Sequence, residues 1–106
     1  AMEQAFCAAV QAGVKIVAGT DSAGRYAEDV AMMRELGLDP AESLFACTRH
    51  AAEALALGHL IGTIEPGKTA DILVIDGDPL ADAYHLEKVA LVIQAGRVMR
   101  PQDITL

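Results

Sequence analysis

The sequence predicts an α/β protein, and three observations predict it. Apolar residues recur at helical spacing through the first half. A β-branched run, Val14-Lys15-Ile16-Val17-Ala18, follows the first helix and leads into Gly19-Thr20-Asp21. From residue 59 onward the helical pattern gives way to short apolar runs separated by Gly, Pro and Asp, the punctuation of strands and turns. Composition agrees: 53% of the 106 residues are hydrophobic, 22% are charged and only 4% are aromatic, with no Trp. The apolar mass is Ala, Val, Ile and Leu, which suits helices packed on strands and excludes an aromatic base-stacking module. A formal charge of −7 without a basic stripe excludes a phosphate-backbone binder, so no nucleic acid is expected as a partner. No run reaches the roughly 18 apolar residues of a membrane span, so no membrane association is expected.

Met2, Phe6, Ala9 and Val10 form one face of a first helix that stops at Gly13. Val14 to Ala18 then reads as a buried strand. A second helix is expected from about Arg25 to Leu36, with Tyr26, Val30 and Met33 inward, Glu28 and Glu35 outward, and Gly37 as its stop. Asp39-Pro40-Ala41-Glu42 is a helix start: Asp39 caps, Pro40 fits the first helical position and Glu42 can reach back as a capping box. Leu44, Thr48, Ala51 and Leu55 make the buried stripe of this third helix, with Glu42, Arg49 and Glu53 in water and Gly58 closing it. Ile61 to Ile64 reads as a short β piece, Pro66-Gly67 as a turn, and Ala70 to Asp76 as a buried strand broken by Gly77-Asp78-Pro79. Val89 to Gln94 and Arg97 to Arg100 flank Ala95-Gly96 as a hairpin. The expected division is 1–58, helices and one strand, and 59–106, β-rich. Neither half has the partner strands its apolar faces need. Both look like parts of incomplete domains.

Asp21 is the carboxylate at a strand's C-terminal tip, where α/β enzymes place metals and catalytic groups. Two readings stand on local grounds. Asp21, or Ser22 beside it, can cap the following helix. Alternatively an ionised carboxylate there ligates a divalent metal and accepts a proton. His50, His59 and His85 fall at no spacing that makes a zinc site, and solvated or hydrogen-bonded roles are expected for them. Cys7 and Cys47, 40 positions apart, signal neither a disulfide framework nor a zinc knuckle and read as free thiols in a reducing cytoplasm. Neither they nor Ser22 has a base at a known spacing for nucleophilic catalysis. Gly19-Thr-Asp-Ser-Ala-Gly24 lacks the Lys of a phosphate loop.

In order, these pieces resemble the C-terminal end of the metal-dependent amidohydrolases, in the branch of imidazolonepropionase-like and Xaa-Pro dipeptidase-like enzymes. Ala12-Gly-Val-Lys-Ile-Val-Ala-Gly-Thr-Asp21 is similar to the last barrel strand with its terminal metal-site aspartate, and Asp39 to Leu55 to the helix that follows. Ile61-Gly-Thr-Ile-Glu-Pro-Gly-Lys-Thr-Ala-Asp-Ile-Leu-Val-Ile-Asp-Gly-Asp-Pro-Leu80 resembles the return into a small β-sandwich, and Val92 to Val98 its closing hairpin.

The resemblance implies a C-terminal piece of a (β/α)₈ barrel with part of the attached sandwich. The parent would be a cytoplasmic hydrolase of amide C–N bonds that uses one or two divalent ions, Zn²⁺ first, on a small-molecule or dipeptide-like substrate. It implies that Asp21 is both metal ligand and catalytic proton acceptor, with Ser22, Arg25 and Tyr26 as candidates for substrate contact. The family's remaining ligands, a His-x-His, a mid-barrel Lys or Glu and two later His, are not in this chain, and His50 stands where the family usually has Asn. A full barrel needs about 250 residues. The expected partner is therefore the remainder of the parent barrel, itself compatible with a homo-oligomer, and the 106-residue chain alone is expected to be inactive. The rival expectation is a self-standing α/β binding module in which Asp21 only caps a helix. A third is another branch of the family, a cyclic-amide hydrolase or a deaminase.

Overall fold

The computed structural model describes residues 2–20 and 25–103. Four helices come first: α1 (Met2–Gln11), α2 (Tyr26–Glu35), α3 (Pro40–Cys47) and α4 (Arg49–Ala54). A three-stranded antiparallel sheet follows, β1 (Ile72–Ile75), β2 (Val89–Gln94) and β3 (Arg97–Met99), in the order β1-β2-β3. A 3₁₀ helix, Ala83–Glu87, interrupts the connection from β1 to β2, and a second, Pro101–Asp103, follows β3. The chain is thus α/β, as the alternating periodicities require.

The helix ends follow their local chemistry. The Gly13 and Val14 N–H groups bond to Val10 and Ala9 carbonyls, and those of Gly37 and Leu38 to Arg34 and Met33, so both predicted glycine stops form. The Asp39 side chain accepts from the Ala41 N–H at 3.0 Å, with Pro40 at the first helical position. Glu42 makes no return bond and stays in solvent.

The expected third helix is two helices. At Thr48 (φ −127°, ψ −88°) the side-chain hydroxyl donates to the Leu44 carbonyl at 2.8 Å while the backbone N–H turns to Phe45. The hydroxyl takes the acceptor that an unbroken helix reserves for its backbone, and the helix breaks there. Closure of α4 also differs, since Ala56 rather than Gly58 adopts the left-handed conformation (φ 59°), with Leu57 N–H bonding to Ala52.

The core is small and lies between α2, α3 and the first 3₁₀ helix: Ala27, Val30, Met33, Leu38, Ala46, Ala83 and Leu86, with Phe6, Val10, Ile16 and Ala18 packed on its edge. Val30 and Met33 point inward as expected, but Tyr26 is 40% exposed and Ala27 takes its place. Of the predicted stripe of α3–α4, Leu44 packs on the edge of this core, while Thr48, Ala51 and Leu55 do not. Ser43, Ala46 and Ala52 are buried instead, and Leu55 is 69% exposed. Leu44, Thr48, Ala51 and Leu55 line an open, largely apolar groove of about 650 Å³, whose opposite wall is Ile72, Leu73 and Ile75. The helical pair therefore carries two apolar faces, only one of which the other described residues cover.

Two expected strands do not form. Val14 to Ala18 pairs with no strand among the described residues; beyond the Val14 N–H that closes α1, its backbone is tied by Ala18 N–H to the Ala46 carbonyl at 3.0 Å. A strand exists only as half of a ladder, and no neighbour is there to complete one. Ile61 to Ile64 is a bend, because Gly62 (φ 100°) brings the chain against α4 so closely that a Cβ would lie 2.6 Å from Ala52 Cβ and 3.2 Å from the Thr48 oxygen. The Pro66-Gly67 turn forms, with Lys68 N–H to Glu65 at 3.2 Å and Gly67 at φ 90°. So does the hairpin turn, where Ala95 and Gly96 have φ 50° and 80° and donate to Asp71 Oδ1 and the Ala70 carbonyl. The predicted strand 70–76 shortens to Ile72–Ile75, with an irregularity between Val74 and Ile75, and its residues are half-buried or exposed rather than buried.

Two expectations follow. Gly62→Ala adds both a clash and a strained φ and is expected to cost about 2–4 kcal/mol, read as a lowered urea midpoint; an unchanged midpoint contradicts the close approach. With Phe45, Leu55, Ile64 and Leu73 all exposed, the isolated chain is expected to self-associate, and a stable monomer by light scattering counts against the groove as drawn.

Candidate functional site

Asp21 and Ser22 lie outside the described residues, so the site is built from the chain on either side of them. On the approach, Lys15 Nζ meets Glu53 Oε2 of α4 at 2.8 Å, Ile16 and Ala18 pack against the core, and Ala18 N–H holds Ala46 of α3. The approach is thus pinned to α3 and α4 at three points.

On the departure, Arg25 is the residue that starts α2. Its carbonyl accepts from Glu28 and Asp29 N–H, while its side chain makes no cap bond. Arg25 Nε and Nη2 donate to the two oxygens of Glu87 at 2.6 and 2.7 Å, Nη1 donates to Glu28 at 3.1 Å, and the guanidinium carbon lies 5.8 Å from the Tyr84 ring centre. Hydrogen bonding from Arg25 holds the Glu87 carboxyl below the usual carboxylate range. Tyr26 lines the apolar groove. Burial first, then hydrogen bonding to Cys47, pushes its hydroxyl well above the ordinary phenol value, so it is a neutral group at every physiological pH. Arg25 and Tyr26, adjacent in sequence, diverge: one faces the 3₁₀ helix, the other the groove.

The remaining reactive groups are structural in their contacts. Burial raises the Cys47 thiol, against smaller lowering effects of Tyr26 and Arg34, so it stays protonated and is a poor nucleophile. Cys7 Sγ donates to the Leu36 carbonyl at 3.1 Å. His50 stacks at a tilt on Phe45, His59 is exposed, and His85 Nδ1 accepts the Asp78 N–H at 2.9 Å, holding the turn after β1. Among the described residues, no three His, Cys, Asp or Glu side chains converge to hold a metal ion.

A second, polar cavity of about 360 Å³ lies between Arg49, Glu53, Thr63, Glu65 and Lys68. Its charges answer one another: Arg49 pairs with Glu53, and Lys68 with Glu65 and Thr63, which also bonds to Glu65. In the sequence Glu53 reads only as a water-facing helix residue, and Tyr84 and Glu87 stand out by no motif. Glu53 lies 38 positions from Lys15 and Glu87 lies 62 from Arg25. Neither separation leaves a periodic signal.

The amidohydrolase family model matches residues 3–99. The imidazolonepropionase of Rubrobacter xylanophilus is 42% identical over 69 residues, 62% of this chain and 17% of that protein. That of Geobacillus kaustophilus is 34% identical over 67 residues, 60% of this chain and 16% of that protein. A Xaa-Pro dipeptidase crystallised with methionine in its active site superposes with a TM-score of 0.85 at 30% identity, over 92% of this chain and 25% of its own. The chain thus spans about a sixth of the curated relatives and a quarter of the solved structure.

The carboxylate of Glu53 gives a pH test. Its hydrogen bonds to Lys15 and Arg49 lower its pKa on folding. The stabilisation is therefore present above the unfolded value of about 4.3 and is lost as pH falls through the lower folded value. Glu53→Gln is expected to lower the melting temperature at pH 7, with the gap to the unmodified chain closing on acidification below about pH 4. A gap that is constant from pH 7 to pH 3 contradicts the pairing.

Proposed function

The chain belongs to the amidohydrolase family, and from that membership we propose that it is the C-terminal part of a hydrolase of amide C–N bonds. In this reading residues 1–58 close a (β/α)₈ barrel and residues 59–106 are the trailing strands of its β-sandwich. The substrate is a small-molecule or dipeptide-like amide, and the parent is cytoplasmic and compatible with a homo-oligomer. The observation that carries the reading is the family match over residues 3–99, within which Gly19-Thr20-Asp21 falls. The likeness to imidazolonepropionases and to a Xaa-Pro dipeptidase supports the bond class.

The family generally binds divalent metals. The described residues do not by themselves supply a donor set for one. Asp21 is assigned as the chain's single contribution, a ligand and proton acceptor to an ion, Zn²⁺ first, whose other donors lie elsewhere in the parent. The pinned approach at Lys15 and Ala18 and the anchored departure at Arg25 suit a carboxylate that must keep its place. Ser22 stays the nearest candidate for a substrate contact. The divergence of Tyr26 into the groove makes it a weaker one.

In the complete enzyme, Asp21→Asn is expected to lower turnover by at least about 100-fold and to reduce bound metal, measured by steady-state kinetics and elemental analysis. Turnover within a few-fold of the unmodified enzyme would favour the helix-cap role. The 106-residue chain alone is expected to show no turnover, and metal-dependent amidase activity from it would overturn the division of labour.

A further inference from the structure

We propose that Arg25 is a positioning residue and not a substrate contact: clamped by Glu87 and Tyr84 of the 3₁₀ helix, it fixes the start of α2, the element that begins shortly after Asp21 in the sequence. The proposal rests on the reading of Asp21 given above.

Three features of the clamp carry it. First, Arg25 is the boundary residue of α2, whose carbonyl takes the first helical bonds. Holding its side chain therefore holds the point where the chain enters the helix. Second, the grip is two-pronged. Nε and Nη2 reach separate oxygens of one carboxylate at 2.6 and 2.7 Å, and the same guanidinium lies over Tyr84. A fork-to-fork pair inside a small network is the kind of surface ion pair that does contribute, where an isolated one contributes little. Third, the clamp sits over an apolar seam. Ala27 and Val30 of α2 are buried in one cluster with Ala83 and Leu86 of the 3₁₀ helix, so the two elements it joins are already packed and the ion pair sets their register.

Electrostatics argue against the alternative. The Nε–Nη2 edge, the usual face for bidentate capture of a carboxylate, is occupied by Glu87, and Nη1 is engaged by Glu28. Two carboxylates thus surround one guanidinium, and an anionic substrate group would meet net negative charge there. The partners come from residues 28, 84 and 87, so the grip spans both halves of the chain.

The test uses the complete parent enzyme with Glu87→Gln, Arg25→Gln, Arg25→Lys and the Glu87→Gln/Arg25→Gln pair, alongside Asp21→Asn. Each single change at 25 or 87 is expected to lower kcat by about three- to tenfold with KM within about twofold. The double variant should be no worse than the poorer single. Amide hydrogen exchange over residues 25–29 should quicken in all of them, and Arg25→Lys, which keeps the charge but loses the fork, should resemble Arg25→Gln. A rise in KM confined to the Arg25 variants would overturn the proposal in favour of substrate contact. Additive losses, or exchange that does not change, would overturn it too. If Asp21→Asn abolishes turnover while Glu87→Gln is silent, the clamp alone fails. If Asp21→Asn leaves turnover intact, the reading of Asp21 fails and takes the clamp's role with it.

Discussion

The structure depends on the seam between α2 and the 3₁₀ helix Ala83–Glu87. Val30 is fully buried there, Ala27, Ala83 and Leu86 nearly so, and Arg25 and Glu87 close its edge. Small side chains let the two elements approach closely, and the close approach makes the seam a joint between the helical and β-rich segments. Without it, the described residues would tie the sheet to the helices chiefly through the bend at Gly62 and the open groove. The 3₁₀ helix is itself set by short-range chemistry: Asp82 accepts the Tyr84 N–H at 2.9 Å, and His85 holds Asp78. A local cap thus positions Leu86 for the core and Glu87 for Arg25, two roles on neighbouring residues.

The second constraint is what the chain leaves uncovered. α3 buries Ser43 and Ala46 on one side, while α3 and α4 line a groove on the other with Leu44, Ala51, Ala52 and Leu55. Burying a large aliphatic side chain is worth about 1.5–3 kcal/mol, so a groove walled by Leu44, Leu55, Ile72, Leu73 and Ile75 represents stability that this chain does not collect. The segment Val14 to Ala18 has the same character, with a β-branched composition suited to a sheet but no strand beside it among the described residues. Both features fit a chain that spans a sixth to a quarter of the proteins it matches.

Much of this was legible in the sequence wherever the cause is local. Helix α2, the Asp39-Pro40 start, the stops at Gly13 and Gly37, the Pro66-Gly67 turn and the Ala95-Gly96 hairpin each follow from residues within four positions of one another. The misreadings are tertiary. Leu44, Thr48, Ala51 and Leu55 have the spacing of a buried stripe, and periodicity cannot say which of two apolar faces is covered. Ile61 to Ile64 has strand composition, but Gly62 must pass over Ala52, and that approach decides its shape. The stretch around His85, polar in sequence, hides a 3₁₀ helix whose two apolar residues enter the core. Asp21 stood out by its place after a β-branched run, while its catalytic meaning came from resemblance. The Arg25–Glu87 clamp was illegible, since its partners are 62 residues apart and each alone reads as a solvated charge.

The central claim is that this chain is the closing part of a larger metal-dependent hydrolase and supplies one carboxylate to a site assembled mostly elsewhere. Sequencing the coding DNA upstream of Ala1 tests it most directly. The account predicts an open frame that continues for about 300 codons, the balance of a barrel of roughly 250 residues with its sandwich strands, and carries a His-x-His early and further histidines later. An in-frame stop codon followed by initiation at Met2 would contradict it and leave a self-standing α/β module in which Asp21 caps a helix.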